Sequence, residues 1–206
     1  MTGGQPRWCN SFLVTFRVLL RYTTKEMSVN HSPIDPALIE RARRDPEAFG
    51  ALYRCYLTPV YRYLYRRLGN IHDAEDIAAQ VFTEALEGLV AGRYREGGSF
   101  SAWLFTIAAH KLADFYRMRS PLELDDPASA EIGLEPEIEK NDDRQHLVKL
   151  LAQLEEENQE LLRLRFSAGL SFAEIAMLDG RNEAAVKMTI YRSLAWLREH
   201  WEAEDG

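Results

Sequence analysis

Apolar positions along the chain recur about every 3.6 residues, which is typical of amphipathic α-helices. Two Asp-Pro steps, at 35–36 and 45–46, each pair a capping side chain with a proline and predict two helix starts. The second run is expected to end at Gly69 and to be kinked or split at Pro59. Its apolar positions are Phe49, Leu52, Tyr53, Tyr56, Val60, Tyr63, Leu64 and Leu68.

The stretch from 70 to 89 is predicted to be an amphipathic helix with an acidic face. Its apolar stripe is Ile77, Val81, Phe82, Leu86 and Leu89. The opposite side and the first turn carry Asp73, Glu75, Asp76, Gln80, Glu84 and Glu87. Acidic residues near a helix N-terminus are favoured by the helix dipole. From these residues alone, the face is a solvated surface, a docking surface or a metal site.

The stretch from 99 to 119, SFSAWLFTIAAHKLADFYRMR, is predicted to be a helix that is apolar over most of its circumference. The apolar arc is Phe100, Leu104, Phe105, Ile107, Ala108, Leu112, Phe115 and Tyr116. A narrow stripe is polar or small, and it consists of Thr106, His110, Ala113 and Arg117, with Trp103 and Asp114 beside it. A helix that only fills a core has no need of a histidine and several cations, so the stripe indicates contact with a partner.

The last third of the chain contains LSFAEIAMLDGRNEAAVKMTIYRSLAWLRE, which has the pattern of a helix-turn-helix. Ser171 and Glu174 form a predicted capping box, Gly180 permits a sharp turn, and Asn182 can cap the second helix. The predicted inward positions of that helix are Val186, Ile190, Leu194 and Leu197; the outward ones are Ala184, Lys187, Met188, Tyr191 and Arg192. Cations and small groups on one face suit the major groove, although an amphipathic hairpin in a helical bundle has the same pattern.

Composition adds a segment of concentrated acidity. The 206 residues are 46% hydrophobic and contain almost no β-branched runs, which favours an all-α fold. The net charge is −7, but the range 123–143 holds nine acids against one lysine, a local charge of −8 that leaves +1 for the rest. Three prolines fall between 121 and 136, so this segment is predicted to be a linker.

These patterns predict an all-α protein of two small helical domains joined by an acidic flexible linker, the C-terminal one a helix-turn-helix. The boundaries are 34–119 for the first domain, 120–143 for the linker and 144–206 for the second domain. Residues 1–33 show no sustained hydrophobic period and include an internal Met27. They are expected to form a disordered extension or to precede the true translation start.

Cysteine usage and hydropathy favour a cytoplasmic protein. Cys9 and Cys55 are the two cysteines, and neither a CxxC motif nor a histidine cluster is present, which excludes a disulfide framework and a cysteine-based zinc site. No stretch approaches the roughly 20 apolar residues of a membrane span, so no membrane insertion is expected. The sequence also offers no nucleophile–base pair or glycine-rich phosphate loop, so we predict neither enzymatic activity nor a metal or other cofactor.

Three motifs in order resemble one family. DAEDIAAQVF, GSFSAWLFTIAAHKLADFYR and LSFAEIAMLDGRNEAAVKMTIYRSLAWLR are similar to the polymerase-docking, promoter-melting and −35-reading helices of extracytoplasmic-function (ECF) sigma factors, the group IV members of the sigma-70-like initiation factors. The resemblance covers about residues 40–200 and implies a factor that binds core RNA polymerase, recognises the −35 and −10 promoter elements and melts the promoter.

The resemblance also implies roles for individual residues. The first domain would clamp a coiled coil of the polymerase β′ subunit through Asp73, Glu75, Asp76, Gln80 and Glu84. The melted −10 strand would be bound by Arg93, Tyr94, Arg95, Ser99, Thr106, His110, Lys111, Ala113, Arg117 and Arg119. The −35 element would be bound by Arg181, Asn182, Glu183, Ala184, Lys187, Met188, Tyr191 and Arg192. The base pocket is expected between the stripe of the 99–119 helix and the loop at 94–99, while Trp103 is expected in the core rather than under a base.

Two features depart from or extend the family pattern. His110 stands where family members commonly carry asparagine, and the usual basic tail is reduced to DFYRMR, which leaves the preferred −10 base open. The acidic linker would lie in the RNA path of polymerase, although its composition equally suits a solvating spacer. The further partners implied are the polymerase β flap, promoter DNA and an anti-sigma factor. The rival hypotheses are a helix-turn-helix regulator with a ligand-sensing or dimerising first domain, and a structural helical adaptor.

Overall fold

The computed structural model describes residues 35–95, 98–118 and 142–204. These residues form eight α-helices and no strand, which confirms the all-α prediction. The helices are α1 (Pro36–Ala42), α2 (Pro46–Leu68), α3 (Ile71–Val90), α4 (Phe100–Met118), α5 (Asp142–Ala152), α6 (Glu156–Phe166), α7 (Phe172–Asp179) and α8 (Glu183–Glu204). The predictions for residues 1–33, for Arg119 and for most of the linker lie outside the described residues.

The helix boundaries follow local capping chemistry. The Asp35 and Asp45 side chains each accept a hydrogen bond of 2.9 Å from a backbone N–H in the first turn of α1 and α2. Helix α2 ends at Gly69, whose φ of 68° is the left-handed conformation that glycine adopts without strain. Helix α2 continues through Pro59, so the chain is not split there, and the alternative of a kink stays a prediction. Proline removes one N–H, and the burial of Val60 in the next position holds the helix against the core.

Helices α1 to α4 pack around one apolar core. The largest nearly inaccessible side chains of α2 and α4 are Leu52, Tyr63, Leu64, Leu104 and Phe105, and α3 contributes Val81 and Leu89. Each fully buried side chain of this kind stabilises the fold by about 1.5–3 kcal/mol. Leu86 departs from the predicted stripe, because it is 38% exposed and lies on the outer side of α3. A helix buries only the positions that face its neighbours, and Leu86 lies outside that arc.

Helices α5 to α8 form a second packed unit. Its most buried apolar side chains are Leu150, Leu161, Leu164, Leu170, Ile175, Val186, Ile190 and Leu197. Arg165 is also buried, at 4% exposure, where it donates a 2.7 Å hydrogen bond to the Leu170 carbonyl and lies over the Phe172 ring. Burial lowers the pKa of its guanidinium below the ordinary value. This buried cation fixes the chain between α6 and α7 and thereby sets the start of the helix-turn-helix.

The two units contact each other directly. Helix α7 packs against α4, and α6 packs against α2. The C-terminal helix-turn-helix therefore lies beside the helix that carries the predicted −10 stripe. The domain boundaries stay a prediction, and α5 begins at Asp142, inside the last residues assigned to the linker.

Candidate nucleic-acid and polymerase interfaces

The acidic face of α3 is built on a strong N-cap. The Asn70 side chain accepts hydrogen bonds from the backbone N–H groups of His72 and Asp73, at 2.8 and 3.2 Å. One turn further on, Glu75, Asp76 and Gln80 are exposed, whereas Asp73 is half-buried. The exposed face continues towards the C-terminus through Leu86 and Val90, the latter 65% exposed. The motif did not indicate these two apolar residues, and only their three-dimensional surroundings show that they share the acidic face.

Glu84, another of the predicted docking residues, forms an ion pair with α4. Its carboxylate lies 2.7 Å from the Lys111 ammonium, and both side chains are half-buried. The pair joins α3 to α4, and it joins a residue predicted to dock polymerase to one predicted to bind DNA phosphate. The two predicted surfaces are therefore neighbours.

Three of the four residues of the α4 stripe face outward. His110, Ala113 and Arg117 are exposed, and the half-buried Thr106 donates a 2.9 Å hydrogen bond to the Ala102 carbonyl. The Arg117 guanidinium pairs with Asp114 on the same helix, and such an exposed pair is readily exchanged for another anion. Arg93 and Arg95 are also exposed, on the loop that precedes α4.

Tyr94 lies beneath that loop rather than on its surface. It is 6% exposed, its ring contacts Phe100 and Trp103, and its hydroxyl donates a 2.5 Å hydrogen bond to the Gly98 carbonyl. The Arg43 guanidinium donates to the Tyr94 carbonyl at 3.2 Å. Tyr94 thus supports the loop from within, and its contact with DNA stays a prediction. Trp103 is partly buried in the same aromatic cluster, as its core assignment expects.

The start of α4 carries a polar cluster that sequence reasoning missed. Ser99 caps α4 by accepting from the Ala102 N–H at 3.2 Å, and its hydroxyl donates to Glu174 of α7 at 2.8 Å. Ser101, 4% exposed, donates to the same carboxylate oxygen. Burial raises the pKa of Tyr56, which is hydrogen-bonded to Ser101, to about 12. Ser101 gave no signal in the sequence, because its partner is 73 residues away.

The helix-turn-helix has its predicted geometry. Ser171 and Glu174 form a reciprocal capping box, Gly180 has φ 74°, and the Asn182 side chain accepts from the Ala185 N–H at 2.8 Å. Glu183, Ala184, Lys187, Met188 and Arg192 are exposed on α8, and Tyr191 is half-buried.

Aromatic contacts hold two of the outward side chains of α8. The Lys187 ammonium lies 5.7 Å from the Tyr191 ring centroid and 6.0 Å from the Phe172 ring centroid, and the two rings meet edge to face. A cation over an aromatic face is electrostatically favoured, so Lys187 is held at the surface of the motif. Arg181 is engaged elsewhere, because its guanidinium is 2.5 Å from Glu157 and also contacts Asp179.

In the part of the chain that the structure describes, neither a metal site nor a membrane-spanning helix is found. Within the described ranges, no group of three or more His, Cys, Asp or Glu side chains is arranged to hold a metal ion, so the metal hypothesis for the acidic face of α3 gains no support. None of the eight helices is long and apolar enough to cross a membrane.

Family models match both helical units. Residues 52–121 match sigma-70 region 2, and residues 144–197 match sigma-70 region 4. The first match contains the α3 and α4 faces and the second contains the helix-turn-helix. Together they define a sigma-70 family protein, and proteins of this class are transcription initiation factors.

Individual relatives show to which group of the sigma-70 family the chain belongs. The chain is 36% identical to the ECF RNA polymerase sigma factor BldN of Streptomyces coelicolor over 78% of its own length, and it spans 63% of that relative. It is 33% identical to the ECF sigma factor ShbA of Streptomyces griseus, covering 79% of this chain and 92% of the relative. The RNA polymerase sigma factor YlaC of Bacillus subtilis is 31% identical, and the match covers 72% of this chain and 89% of that relative. The chain belongs to the ECF sigma factors.

Solved structures show the same fold. CnrH, in complex with the cytosolic domain of CnrY, superposes with a TM-score of 0.60 at 24% identity, covering 82% of this chain and 97% of that one. The sigma factor RpoE of Bartonella quintana, in complex with the anti-sigma factor NepR, superposes with a TM-score of 0.56 at 21% identity. That match covers 74% of this chain and 96% of the other. Family membership confirms the predicted class, and it does not favour a ligand-sensing regulator.

Proposed function

We propose that this chain is an alternative sigma factor that binds core RNA polymerase, recognises the −35 and −10 promoter elements, melts the promoter and directs initiation. It has no catalytic activity of its own and acts in the cytoplasm, where polymerase and chromosome meet. The observation that carries the proposal is the exposure of three chemically distinct faces, on α3, α4 and α8, in a chain that belongs to the ECF sigma factors.

The proposed domain organisation follows the two matched regions. Residues 34–119 form the polymerase-docking and −10 domain, 120–143 form the acidic linker, and 144–206 form the −35 domain. Residues 1–33 form an N-terminal extension. The linker carries a charge of −8, which suits a polymerase channel built for nucleic acid, from which growing RNA displaces it.

Docking on polymerase is assigned to the acidic face of α3. Glu75, Asp76 and Gln80 are exposed and free to meet a basic coiled coil of the β′ subunit. Asp73 and Glu84 flank them and complete the proposed surface. Rim charges of this kind speed encounter and fix orientation more than they add affinity.

The −10 strand is assigned to α4 and the loop before it. A base that leaves the duplex needs a pocket and its backbone needs cations, and α4 together with the loop before it would supply both. The proposed pocket lies beside Thr106, His110 and Ala113, and the proposed backbone contacts are Arg93, Arg95, Lys111, Arg117 and Arg119. Ser99 stands at the start of the helix and Tyr94 braces the loop. The imidazole of His110 can donate and accept hydrogen bonds, so it can contribute to the choice of base.

The −35 element is assigned to the exposed side of α8 and the turn before it. Lys187 and Arg192 present cations to phosphate and guanine, while Ala184 and Met188 present small or apolar surface to base edges. Asn182 and Glu183 lie at the N-terminal end of α8, the end that enters the groove in helix-turn-helix proteins. Arg181 must exchange its two acidic partners for DNA, and Tyr191 supports Lys187. The polymerase β flap is the further surface proposed for this domain.

An anti-sigma factor is the remaining proposed partner. The solved RpoE of Bartonella quintana is held by the anti-sigma factor NepR, and that protein shares the fold of this chain. The fold likeness supports the class of partner and does not identify it.

Run-off transcription tests the proposal. Purified core polymerase is combined with genomic DNA fragments, with and without the protein, and the 5′ ends of the transcripts are sequenced. The protein should produce new starts that share two upstream elements, and Lys187→Ala should weaken them at least several-fold relative to the wild type. Direct duplex binding without polymerase, together with no promoter-specific transcript, would contradict the proposal and support a conventional regulator.

A further inference from the structure

Three helices of the second unit bring aromatic and cationic side chains together beside the helix-turn-helix. Phe172 is the first residue of α7, and its ring meets the Tyr191 ring of α8 edge to face, with 5.8 Å between the centroids. The Lys187 ammonium lies 6.0 Å from the Phe172 centroid and 5.7 Å from the Tyr191 centroid. We name Phe172 and Tyr191 the aromatic support. It joins α7 to the outward face of α8.

The Phe172 ring is itself fixed from within the unit. The Arg165 guanidinium of α6 lies 4.6 Å from the ring centroid, well inside the limit of about 6 Å for a cation–π contact. Arg165 is 4% exposed, and its hydrogen bond of 2.7 Å to the Leu170 carbonyl fixes its place. A guanidinium is favoured over an aromatic face, so the buried cation holds the ring against α6. The part of the aromatic support that belongs to α7 is therefore anchored.

Lys187 keeps its hydrogen-bonding groups while its side chain is restrained. Tyr191 lies four residues after Lys187 and so stands beside it on α8. Both ring distances are close to the outer limit of about 6 Å for a cation–π contact, and the lysine is exposed. The three N–H donors of the ammonium stay open to an anion, because aromatic rings accept hydrogen bonds only weakly. The aromatic support thus restrains the direction of the lysine and leaves its charge available.

Restraint of this lysine has a consequence for DNA binding. A free lysine side chain samples many rotamers, and fixing one of them on a phosphate costs conformational entropy. A lysine held beside two rings has lost part of that freedom before DNA arrives. Its contact with a phosphate is therefore stronger than the contact of an unrestrained lysine.

We propose that Phe172 and Tyr191 are positioning residues for −35 recognition, and that they direct the Lys187 ammonium towards a phosphate of the −35 element. In this role each ring acts through Lys187. The DNA part of the inference rests on the proposed sigma function, whereas the restraint of Lys187 is a property of the chain alone. Phe172 gave no signal in the sequence, because its three partners belong to other helices.

The first measurement detects the restraint in the full chain without polymerase. The five lysines are labelled with carbon-13 at Cε for NMR, and the Lys187 signal is identified by its loss in Lys187→Arg. Ring currents should displace this signal from that of the exposed Lys149 of α5. Phe172→Leu keeps an apolar side chain and removes one ring, so the Lys187 signal should move towards that of Lys149. Phe172→Tyr retains the ring and should leave the signal near its wild-type position.

The second measurement gives the affinity of the polymerase holoenzyme for a promoter found by run-off transcription. Fluorescence anisotropy of a labelled promoter duplex measures binding by each variant. Phe172→Leu should weaken binding about three- to ten-fold, and Phe172→Tyr should bind like the wild type. In a Lys187→Ala background, Phe172→Leu should cause almost no further loss, because its effect passes through the lysine. A ring that only stabilised the fold would weaken both backgrounds equally.

Further variants separate positioning from folding. Phe166→Leu makes the same change at the half-buried ring that ends α6, and it should leave both the Lys187 signal and the promoter affinity unchanged. Tyr191→Leu, compared with the ring-retaining Tyr191→Phe, repeats both measurements on α8. This second pair decides the question if Phe172→Leu does not fold.

Three results would overturn the positioning role: a wild-type Lys187 signal that coincides with that of Lys149, a promoter affinity that loss of either ring leaves unchanged or raises, or an equal loss in the Lys187→Ala background. A wild type that forms no promoter complex would instead refute the proposed sigma function. In that case the Lys187 signals of the same variants still decide whether the two rings restrain the lysine.

Discussion

Gly88 determines how closely α3 and α4 can approach. A Cβ atom at this position would lie 2.8 Å from Cζ2 and 3.1 Å from Cη2 of Trp103. The indole cannot easily move, because it packs against Tyr94 and Phe100. We expect Gly88→Ala to lower the free energy of unfolding by about 1–2 kcal/mol, since overpacking of about 1–3 kcal/mol exceeds the helix propensity gained. Urea denaturation followed by circular dichroism measures the change.

Gly50 provides the matched control, because it also lies within a helix. A Cβ atom there would meet only the flexible end of Arg54, at an ordinary 3.5 Å. Gly50→Ala should therefore raise the free energy of unfolding by about 0.5–1 kcal/mol. Equal effects of the two substitutions would show that the indole contact does not limit the packing of α3 on α4.

At the scale of a helix, the Asn70 cap sets the stability of the proposed docking element. Asn70→Ala leaves two N–H groups of α3 without their acceptor, and we expect a loss of about 1 kcal/mol. Asn70→Asp keeps an acceptor at the same place and should stay close to the wild type. Thermal denaturation of the three proteins measures the difference, and an alanine variant as stable as the aspartate variant would contradict the importance of the cap.

The acidic face of α3 predicts different outcomes for two charge reversals. Asp76→Lys changes an exposed residue, so it should weaken binding to core polymerase about three- to ten-fold and leave the unfolding midpoint unchanged. Glu84→Lys also destroys the pair with Lys111 and should lower both affinity and stability. Binding is measured by fluorescence anisotropy with labelled protein, and Glu199→Lys serves as the control. Unchanged affinity of the Asp76 variant would place the docking surface elsewhere.

The elements predicted correctly are those whose causes are local in sequence. The caps at Asp35 and Asp45, the turn glycines 69 and 180 and the capping box of α7 all act within four residues. Leu86 was misplaced because hydrophobic period cannot show where a neighbouring helix stops. The chain is not split at Pro59 for a related reason, since the burial of Val60 outweighs a local signal.

In the candidate site, too, features with a local cause were predicted, whereas contacts between residues far apart in sequence were not. The outward positions of α8 follow from helical period alone, and four of the five are exposed, while Tyr191 is half-buried. Other features of the site depend on residues from different helices or loops. These are the burial of Tyr94, the pair of Glu84 with Lys111 and the contacts of Glu174 with Ser99 and Ser101. No periodicity encodes such contacts, because they depend on how the helices are placed relative to one another.

At the scale of the whole molecule, Glu156 and Glu174, which join the two helical units, make stability depend on pH. Burial alone would raise the pKa of Glu174, but hydrogen bonds from Ser101, Ser171 and Ser99 outweigh it and lower the pKa. Glu156 behaves in the same way, its burial being outweighed by Arg163 and Arg67. Both pKa values lie below the ordinary 4.5, so the folded chain binds fewer protons than the unfolded one in that range. Their stabilisation is complete above the unfolded pKa and is lost as pH falls below it.

The urea midpoint should therefore stay high from pH 7 to about 5.5 and decline steeply between about pH 5 and 3. Glu174→Gln and Glu156→Gln should each start lower at pH 7 and decline less, because one ionisation linked to folding has been removed. Glu199→Gln should run parallel to the wild type. If all four curves are parallel, these two carboxylates do not carry the acid sensitivity. If only the Glu174 and Glu156 variants flatten the curve, the contact between the two helical units links folding to protonation.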